Sequence, residues 1–414
     1  MTFNSLEFLI FLVVVFFVYW FLNLRFQNLF LVTASYFFYG WWDWRFLSLM
    51  LVSTLIDYFG GLALNRTDNA RNRKLILAIA ITANLTLLGF FKYYNFFVSS
   101  LQGLLAAFGA PASSLTTLHI ILPLGISFYT FQSMSYAIDV YRRSIMPTKN
   151  FTDFMAYVSF FPQLVAGPIE RASNLLPQFQ IRRQFNYQLA VDGLRQMLWG
   201  FFKKIVIADN LGMVVEKIYL NVPAATSWEL LLATFFFAFQ IYCDFSAYSD
   251  IASGTARLFG FRLMRNFAYP YFSTNIIQFW KRWHISLSTW FRDYVYIPLG
   301  GNQVRAKQYI TNVLTVFILS GVWHGANWTF VAWGLLHGLY FLPLAISKND
   351  HKYKRAKKEE PSLKDIHRII FTFLLVLLAW VFFRAQNITE AILILQRIFS
   401  KDIFVFPGLA ALYP

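Results

Sequence analysis

The sequence predicts an all-α, polytopic integral membrane bundle with short or re-entrant helices between its spans. Of its 414 residues, 57% are hydrophobic and only 14% are charged, whereas soluble domains carry about 25% charged residues. Apolar runs such as Phe8–Leu22, Leu75–Phe91 and Trp228–Ile241, with their flanks, approach the roughly 20 residues that a spanning helix needs. Helices satisfy the backbone within each segment, as hydrocarbon demands. We therefore treat 1–414 as a single multi-pass membrane domain.

The net charge of +16 raises the question of a nucleic-acid partner. The basic residues are dispersed between apolar spans, which is typical of cytoplasmic loops under the positive-inside rule. We therefore reject nucleic acid and expect the lipid bilayer as a partner. The single cysteine, Cys243, excludes an intramolecular disulfide and a Cys-rich zinc site. The N-terminus lacks a basic region and a cleavage site, so Phe8–Leu22 is predicted to be a retained span.

In the first third of the chain, polar segments separate the apolar runs. Asn65–Lys74 is strongly basic and is predicted to be a cytoplasmic loop, which places the N-terminus outside. Ser99–Thr117 has no charged residue and is predicted to be an external loop. The spans are predicted at Phe8–Leu22, Leu29–Trp42, Phe46–Leu64, Ile76–Phe97 and Ile120–Val140.

The region Phe151–Arg183 is apolar but interrupted, because Pro162, Gly167 and Pro168 break any long helix. It is predicted to be a half-buried or re-entrant stretch, with an ordinary interfacial loop as an equal alternative. The following Gln188–Ala208 is amphipathic. It is predicted to lie at the interface or to form a short span whose lysines extend toward water.

The stretch Trp228–Gly260 is predicted to be a tilted span that carries Asp244 and Asp250. Carboxylates at membrane depth point toward partners or a cavity. A separation of six residues puts them on different faces of a helix, so they do not form an obvious catalytic pair. Structural hydrogen bonding is the favoured interpretation for both.

The segment Phe267–Asn302 is too charged to span and too aromatic for a free loop, so one or two short helices tucked between spans are predicted. It contains Trp280, Lys281, Arg282 and His284. Basic and aromatic side chains together suit an anionic, planar ligand. An interfacial anchor of Trp, Lys and Arg is the alternative.

His324 lies between two glycines and two tryptophans in the run Leu319–Trp328. A charged group at a helix centre costs about 2.5–3.5 kcal/mol on insertion scales, and a neutral imidazole avoids part of that cost. The alternative is a structural histidine bonded to a carbonyl. On one helix, the thirteen-residue spacing to His337 falls off the shared face. We therefore assign structural or surface positions to the remaining histidines, His119, His337, His351 and His367.

Thr311–Val322 leads into this run and Thr329–Ala345 continues the membrane path. Lys348–Arg368 is predicted to be another cytoplasmic loop, and Ile369–Phe383 a further span. No internal repeat is visible.

Taken together, these motifs identify a family. The chain resembles the membrane-bound O-acyltransferases, and within them the bacterial branch that acetylates alginate and peptidoglycan. The resemblance covers nearly the whole chain. It rests on Ala34–Gly40, Gly125–Phe131, Ala166–Glu170, Tyr242–Asp250, Lys281–Gly301 and Trp323–Trp328.

The resemblance implies that His324 is the catalytic histidine and that His284 occupies the second motif position. It also implies a central funnel that joins a cytoplasmic acyl-thioester donor to an acceptor on the other side. Compared with many relatives, a last C-terminal span is expected to be missing or reduced. We expect the protein to lie in the bacterial cytoplasmic (inner) membrane.

The chemistry expected at this site is acetyl transfer from acetyl-CoA, with His324 as general base. Trp323 and Asn327 would donate hydrogen bonds to the developing oxyanion or orient the ring. His284 would orient the donor or share the proton, and Trp280, Lys281 and Arg282 would bind the adenine and phosphates.

No permanently bound cofactor and no metal are expected, since no nearby acid or thiol completes a metal site with the two histidines. The expected partners are a polysaccharide acceptor and either an SGNH-type periplasmic or extracellular acetyltransferase or a small membrane protein. The alternative is a transporter or export channel gated by a midplane histidine, without acyl transfer.

Overall fold

The computed structural model describes residues 1–109, 115–165, 167–346 and 362–404. These residues form α-helices joined by short 3₁₀ and π segments, without a strand, which confirms the all-α prediction. Among them, five helical stretches are long and apolar enough to cross a membrane. These are Leu24–Arg66, Ala70–Ala107, Ser227–Leu258, Trp328–Ile346 and Ile366–Arg384, and Leu6–Trp20 is a shorter apolar helix.

The chain folds into two compact units, and the boundary between them falls inside one long helix. The first unit comprises Met1–Phe201 and Tyr248–Met264. Its helices are α1 (Leu6–Trp20), α2 (Leu24–Asp43), α3 (Leu47–Arg66), α4 (Ala70–Leu88), α5 (Tyr94–Ala107), α6 (Ile126–Tyr141), α7 (Phe151–Ser159), α8 (Phe161–Leu164), α9 (Ala172–Gln180) and α10 (Tyr187–Phe201).

The second unit comprises Phe202–Ala247 and Arg265–Pro414. It contains α11 (Asp209–Tyr219), most of α12 (Ser227–Leu258), α13 (Ile276–Arg282), α14 (Ile285–Phe291), α15 (Ala306–His324), α16 (Trp328–Ile346), α17 (Ile366–Arg384) and α18 (Ile388–Ile398). Within the described ranges, π-helical segments occur at Gly89–Tyr93, Phe202–Ala208 and Arg292–Tyr296.

The predicted basic loop Asn65–Lys74 is shorter than expected, because only residues 67–69 connect two helices. Helix α3 runs to Arg66 and α4 begins at Ala70, where the Asn69 side chain caps the backbone N–H of Arg71 at 2.9 Å. Arg73 is buried and donates to the backbone carbonyl of Tyr141 at 2.8 Å. Arg73 is therefore not a solvated loop residue, because its guanidinium binds backbone carbonyls at the end of α6.

The predicted external loop Ser99–Thr117 is wrong for its first half, because α5 continues to Ala107 and turns at Gly109. Residues 110–114 of that loop lie outside the described residues. The predicted span Ile120–Val140 starts late, since α6 begins only at Ile126, after Gly125 in the left-handed conformation. Apolar composition alone did not distinguish these loops from helices.

The interrupted region, predicted to be half-buried or re-entrant, consists of the short helices α7, α8 and α9. Glu170, just before α9, is fully buried and accepts a hydrogen bond from Asn174 Nδ2 at 2.7 Å and another from the Met264 backbone N–H. Burial raises the pKa of Glu170 to about 7. The broken backbone is therefore held by buried polar contacts, which favours the re-entrant interpretation over an interfacial loop.

Polar groups of α12 find partners within their own units, as expected. Asp244 forms an ion pair with Lys204 at 2.8 Å, and Asp250 accepts from Gln196 Nε2 at 2.8 Å. Lys203, by contrast, does not extend toward water. It is buried and donates to Ser246 Oγ at 2.8 Å.

Helices α15 and α16 make the closest helix pairing described in the second unit, and glycines permit it. A Cβ added to Gly321 would overlap the backbone carbonyl oxygen of Phe330, and one added to Gly334 would overlap that of Phe317. Helix backbones approach this closely only where side chains are absent. The pairing determines where the last turn of α15, which carries His324, is held.

We predict that Gly334→Ala destabilises the protein by about 1–3 kcal/mol, because the added methyl forces the two backbones apart. Thermal unfolding in detergent measures this. Gly103→Ala is the matched control, since nothing lies within 4 Å of its added Cβ, and it should leave the midpoint unchanged or slightly higher. Equal midpoints for both variants and the wild type would contradict the close pairing.

Candidate active site

His324 is the last residue of α15. The helix stops there because Gly325 adopts an extended conformation, with φ −166° and ψ 156°. The chain then enters α16, whose first turn is capped by Asn327 Oδ1 accepting from the Thr329 N–H at 3.0 Å. The imidazole is thus fixed at the junction between two helices.

Aromatic rings surround the half-buried His324. Its ring centroid lies 5.0 Å from those of Trp323 and Trp333 and 5.3 Å from that of Phe383, all in edge-on geometry. The imidazole thus lies in an aromatic environment.

His284 is fully buried and precedes α14 with φ 42° and ψ 55°. This is the left-handed region, which residues other than glycine rarely occupy and which costs of order 1–3 kcal/mol. Backbone strain of this kind concentrates at functional sites, where surrounding contacts hold it in place. Burial lowers the pKa of His284 to about 3, so the ring is neutral at physiological pH.

Asn266 provides those contacts. Its Oδ1 lies 3.1 Å from His284 Nδ1 and accepts hydrogen bonds from the backbone N–H of Ser286 at 3.3 Å and from Ser286 Oγ at 2.9 Å. Its backbone carbonyl accepts from the Ile285 N–H at 2.9 Å. One buried asparagine therefore makes hydrogen bonds both to His284 and to the first turn of α14.

The structure brings the two sequence-predicted histidines together. Their ring centroids are 6.4 Å apart, and Trp323 contacts both, at 5.8 Å from His284 and 5.0 Å from His324. Phe245 closes the other side of His284 at 4.6 Å. The two imidazoles thus lie in one group of aromatic side chains.

The remaining predicted site residues lie at different places. Trp280 is buried and packs on Trp333 at 5.7 Å, one ring away from His324. Lys281 is exposed, and Arg282 is half-buried and donates from Nη1 to the Phe272 carbonyl at 3.3 Å. The two cations thus end α13 next to the aromatic layer, and their role in phosphate binding stays a prediction.

Asn327 is engaged in structural contacts. Besides capping α16, it donates from Nδ2 to the Gln386 backbone carbonyl at 2.7 Å. Both ends of its amide are therefore used to fix the junction after His324. This geometry favours the orienting role over the oxyanion role.

Two features of this site were not anticipated from the sequence. Asn266 carried no motif signal of its own. His337 was placed on one helix with His324, and this premise is wrong because the chain breaks at Gly325. His337 lies in α16, is fully buried, and has its ring centroid 4.9 Å from that of Trp333.

The other histidines are placed as surface residues where the structure describes them. His119 and His367 are exposed, and His351 lies outside the described residues. Across the described ranges, no three His, Cys, Asp or Glu side chains cluster so as to hold a metal ion.

The sequence matches the membrane-bound O-acyltransferase family over residues 142–349, a range that includes both histidines. The chain belongs to this family and is an acyltransferase. It is accordingly a multi-pass membrane protein. Family membership favours acyl transfer over the alternative of a histidine-gated channel.

Three of the relatives are named as O-acetylases or O-acetyltransferases. The chain is 42% identical to a probable alginate O-acetylase of Azotobacter vinelandii, over 91% of this chain and 73% of the relative. It is 41% identical to the Pseudomonas aeruginosa probable alginate O-acetylase, over 97% and 75%. It is 37% identical to a peptidoglycan O-acetyltransferase of Helicobacter pylori, over 90% and 74%.

We predict that His284→Gln weakens the pH dependence of stability. The unfolded imidazole takes up a proton below its ordinary pKa of 6.5, whereas the buried ring does so only near 3. Proton uptake therefore favours unfolding as the pH falls between these values.

Thermal unfolding from pH 7 to pH 4 measures the effect. The wild-type midpoint should fall more steeply than that of His284→Gln. His367→Gln, at an exposed position, should follow the wild type. Parallel curves for wild type and His284→Gln would show that His284 is not buried in neutral form.

Proposed function

We propose that this enzyme takes an acetyl group from acetyl-CoA on the cytoplasmic side and passes it across the bacterial inner membrane, for O-acetylation of an exported or cell-wall polysaccharide. The observation that carries the proposal is the pair of imidazoles, His284 and His324, set 6.4 Å apart among aromatic rings in a chain of this family. The names of the relatives support acetyl as the group and a polysaccharide as its destination.

In the proposed reaction His324 is the general base. Its neutral imidazole takes the proton of the acceptor hydroxyl while the oxygen attacks the thioester carbonyl. The C–S bond then breaks, an ester forms, and the thiolate of CoA leaves and is protonated. General-base help of this kind contributes about 10²–10⁴-fold to the rate.

Three residues near His324 would assist this step, each in a way that its position favours. Trp323 contacts both imidazoles and would orient them, or donate its indole N–H to the carbonyl oxygen as charge develops. Asn327 would act by holding the chain after His324. His284 would share the proton or orient the thioester.

The donor's charged end needs cations, and α13 ends with two of them. Lys281 is exposed and Arg282 is half-buried, so both remain available to the phosphates of acetyl-CoA. Trp280 lies in the aromatic layer between them and His324, where a planar ring is suited to stack. The thioester end would then point along this layer toward the histidines.

The acetyl group would reach its acceptor directly or through a partner. An SGNH-type periplasmic or extracellular acetyltransferase, or a small membrane protein, would take it from the membrane enzyme to the glycan. Proteoliposomes with labelled acetyl-CoA outside and alginate or peptidoglycan fragments inside, with and without the partner, test the proposal. Label on the enclosed glycan supports it, and the absence of label with every acceptor and partner overturns it.

We predict that His324→Ala lowers acetyl transfer by about 10²–10⁴-fold, because the acceptor hydroxyl loses its base. Release of CoA by the purified protein in lipid measures it. His119→Ala, at an exposed position, should retain wild-type activity. A His324→Ala variant that folds and keeps wild-type turnover would remove the base from the proposal.

We predict that Lys281→Glu raises the KM for acetyl-CoA about tenfold or more, because a cation beside the phosphates becomes an anion. The same variant should show an unchanged KM for S-acetylpantetheine, a donor without phosphates. Equal effects on both donors would indicate that Lys281 acts on folding or on the acyl end and not on phosphate.

A further inference from the structure

Asn266 lies in the non-helical segment before α13, and its side chain is almost fully buried. As a cap for α14 it needs only its contacts to Ile285 and Ser286. The bond to His284 Nδ1 at 3.1 Å adds nothing to capping. Asn266 therefore caps α14 and also binds the imidazole of His284, and capping does not account for this second contact.

The direction of the hydrogen bond follows from its neighbours. A backbone N–H only donates, so the Asn266 atom that faces the Ser286 N–H is the carbonyl oxygen. Nδ1 of His284 faces the same oxygen and must therefore carry the proton. In a neutral imidazole the proton is then absent from Nε2, which keeps a lone pair.

Nε2 of His284 is the atom that this arrangement leaves available. It is buried and has no hydrogen-bond partner among the described residues. Buried polar atoms are rarely left in this state unless a ligand or water completes them. The lone pair of Nε2 is therefore suited to accept a hydrogen bond from a ligand that enters during the reaction.

The distance between the two imidazoles indicates where that species fits. A direct N···N hydrogen bond of about 3 Å would bring the ring centroids within roughly 5.5 Å of each other. They are 6.4 Å apart. This gap is too wide for a direct bond and suits one oxygen atom that contacts both rings.

We propose that Asn266 is a positioning residue for acyl transfer, which holds His284 in the Nδ1–H tautomer so that its Nε2 and the His324 ring share the single proton of the acceptor hydroxyl in a bifurcated hydrogen bond before His324 takes that proton. The inference rests on the proposed function and deepens it. His284 aligns the hydroxyl through its lone pair, and the proton goes to His324. A His284 with the proton on Nε2 would instead donate a hydrogen bond to the hydroxyl oxygen and withdraw electron density from the attacking atom.

The described rings around His284 decide which groups bear on a pH experiment. The rings facing His284 belong to Phe245, Phe267, Trp323 and His324, and of these four only His324 titrates. Asn266→Asp keeps the acceptor oxygen, the cap and the tautomer. Its carboxylate, when ionised, also stabilises the imidazolium of His284 and so raises the pKa of that ring.

The activity experiment compares kcat against pH for wild type, Asn266→Asp and Asn266→Ala in lipid. Asn266→Asp should lose activity on acidification at a pH higher than that of the wild type by about 1 or more, because its carboxylate favours the imidazolium of His284 and protonation removes the Nε2 lone pair. Asn266→Ala should lower kcat on the order of 10–100-fold with little change in the KM for acetyl-CoA.

The matched control is Asn312→Ala. Asn312 is also a buried asparagine of this unit, and its Nδ2 donates to the backbone carbonyls of Leu299 and Gly301 at 3.0 and 3.2 Å. Its replacement should lower thermal stability and leave the pH profile in place. An Asn266→Asp profile that overlays the wild type, or an Asn266→Ala kcat equal to wild type, would overturn the inference.

A second readout does not depend on turnover. Solid-state NMR of protein labelled with nitrogen-15 histidine, with the His284 signals assigned by their loss in His284→Gln, shows which ring nitrogen carries the proton. We expect it on Nδ1 in wild type and Asn266→Asp, and a mixture in Asn266→Ala. A proton on Nε2 in wild type overturns the inference even if acetyl transfer is established, whereas inactive protein with the proton on Nδ1 overturns only the proposed function.

Discussion

A neutral imidazole carries a lone pair on one ring nitrogen, and a hydrogen bond from the other nitrogen to an acceptor decides which nitrogen that is. In this protein that hydrogen bond is the contact between Asn266 Oδ1 and His284 Nδ1 at 3.1 Å. The same oxygen receives Ser286, so the acceptor cannot rotate away without releasing the first turn of α14. Folding of a short helix and selection of a tautomer thus depend on one side chain, which also holds His284 in its left-handed conformation.

The second histidine is held by backbone packing instead of by side-chain polarity. Helices α15 and α16 approach closely at Gly321 and Gly334, and the break at Gly325 leaves His324 at the end of α15. Trp333 of α16 then packs edge-on against the imidazole at 5.0 Å. The two halves of the site are therefore positioned by different physics, and each half can be perturbed separately.

Much of the fold was accessible from composition, because long apolar runs in lipid have few structural solutions. The ends of the helices were harder to predict from the sequence. The cluster Asn65–Lys74 resembled a loop, yet Arg73 binds carbonyls of a helix that follows some 70 residues later. No local pattern shows such a partner.

The residues of the candidate site were likewise predictable from the sequence only in part. His284 and His324 stood out as polar residues in motifs of aromatic and basic residues, and the structure brings their rings together. Asn266 did not stand out, because its contact with His284 spans 18 residues of sequence through a strained turn that no periodicity predicts. The break that separates His337 from His324 was also missed, since a single glycine inside an apolar run does not by itself end a helix.

The most direct test of the central claim is a structure of the protein in lipid with a non-reactive thioether analogue of acetyl-CoA. The account predicts the acetyl carbonyl beside the gap between the His284 and His324 rings, with the phosphates near the end of α13. An analogue bound with its acyl end away from both imidazoles would contradict it.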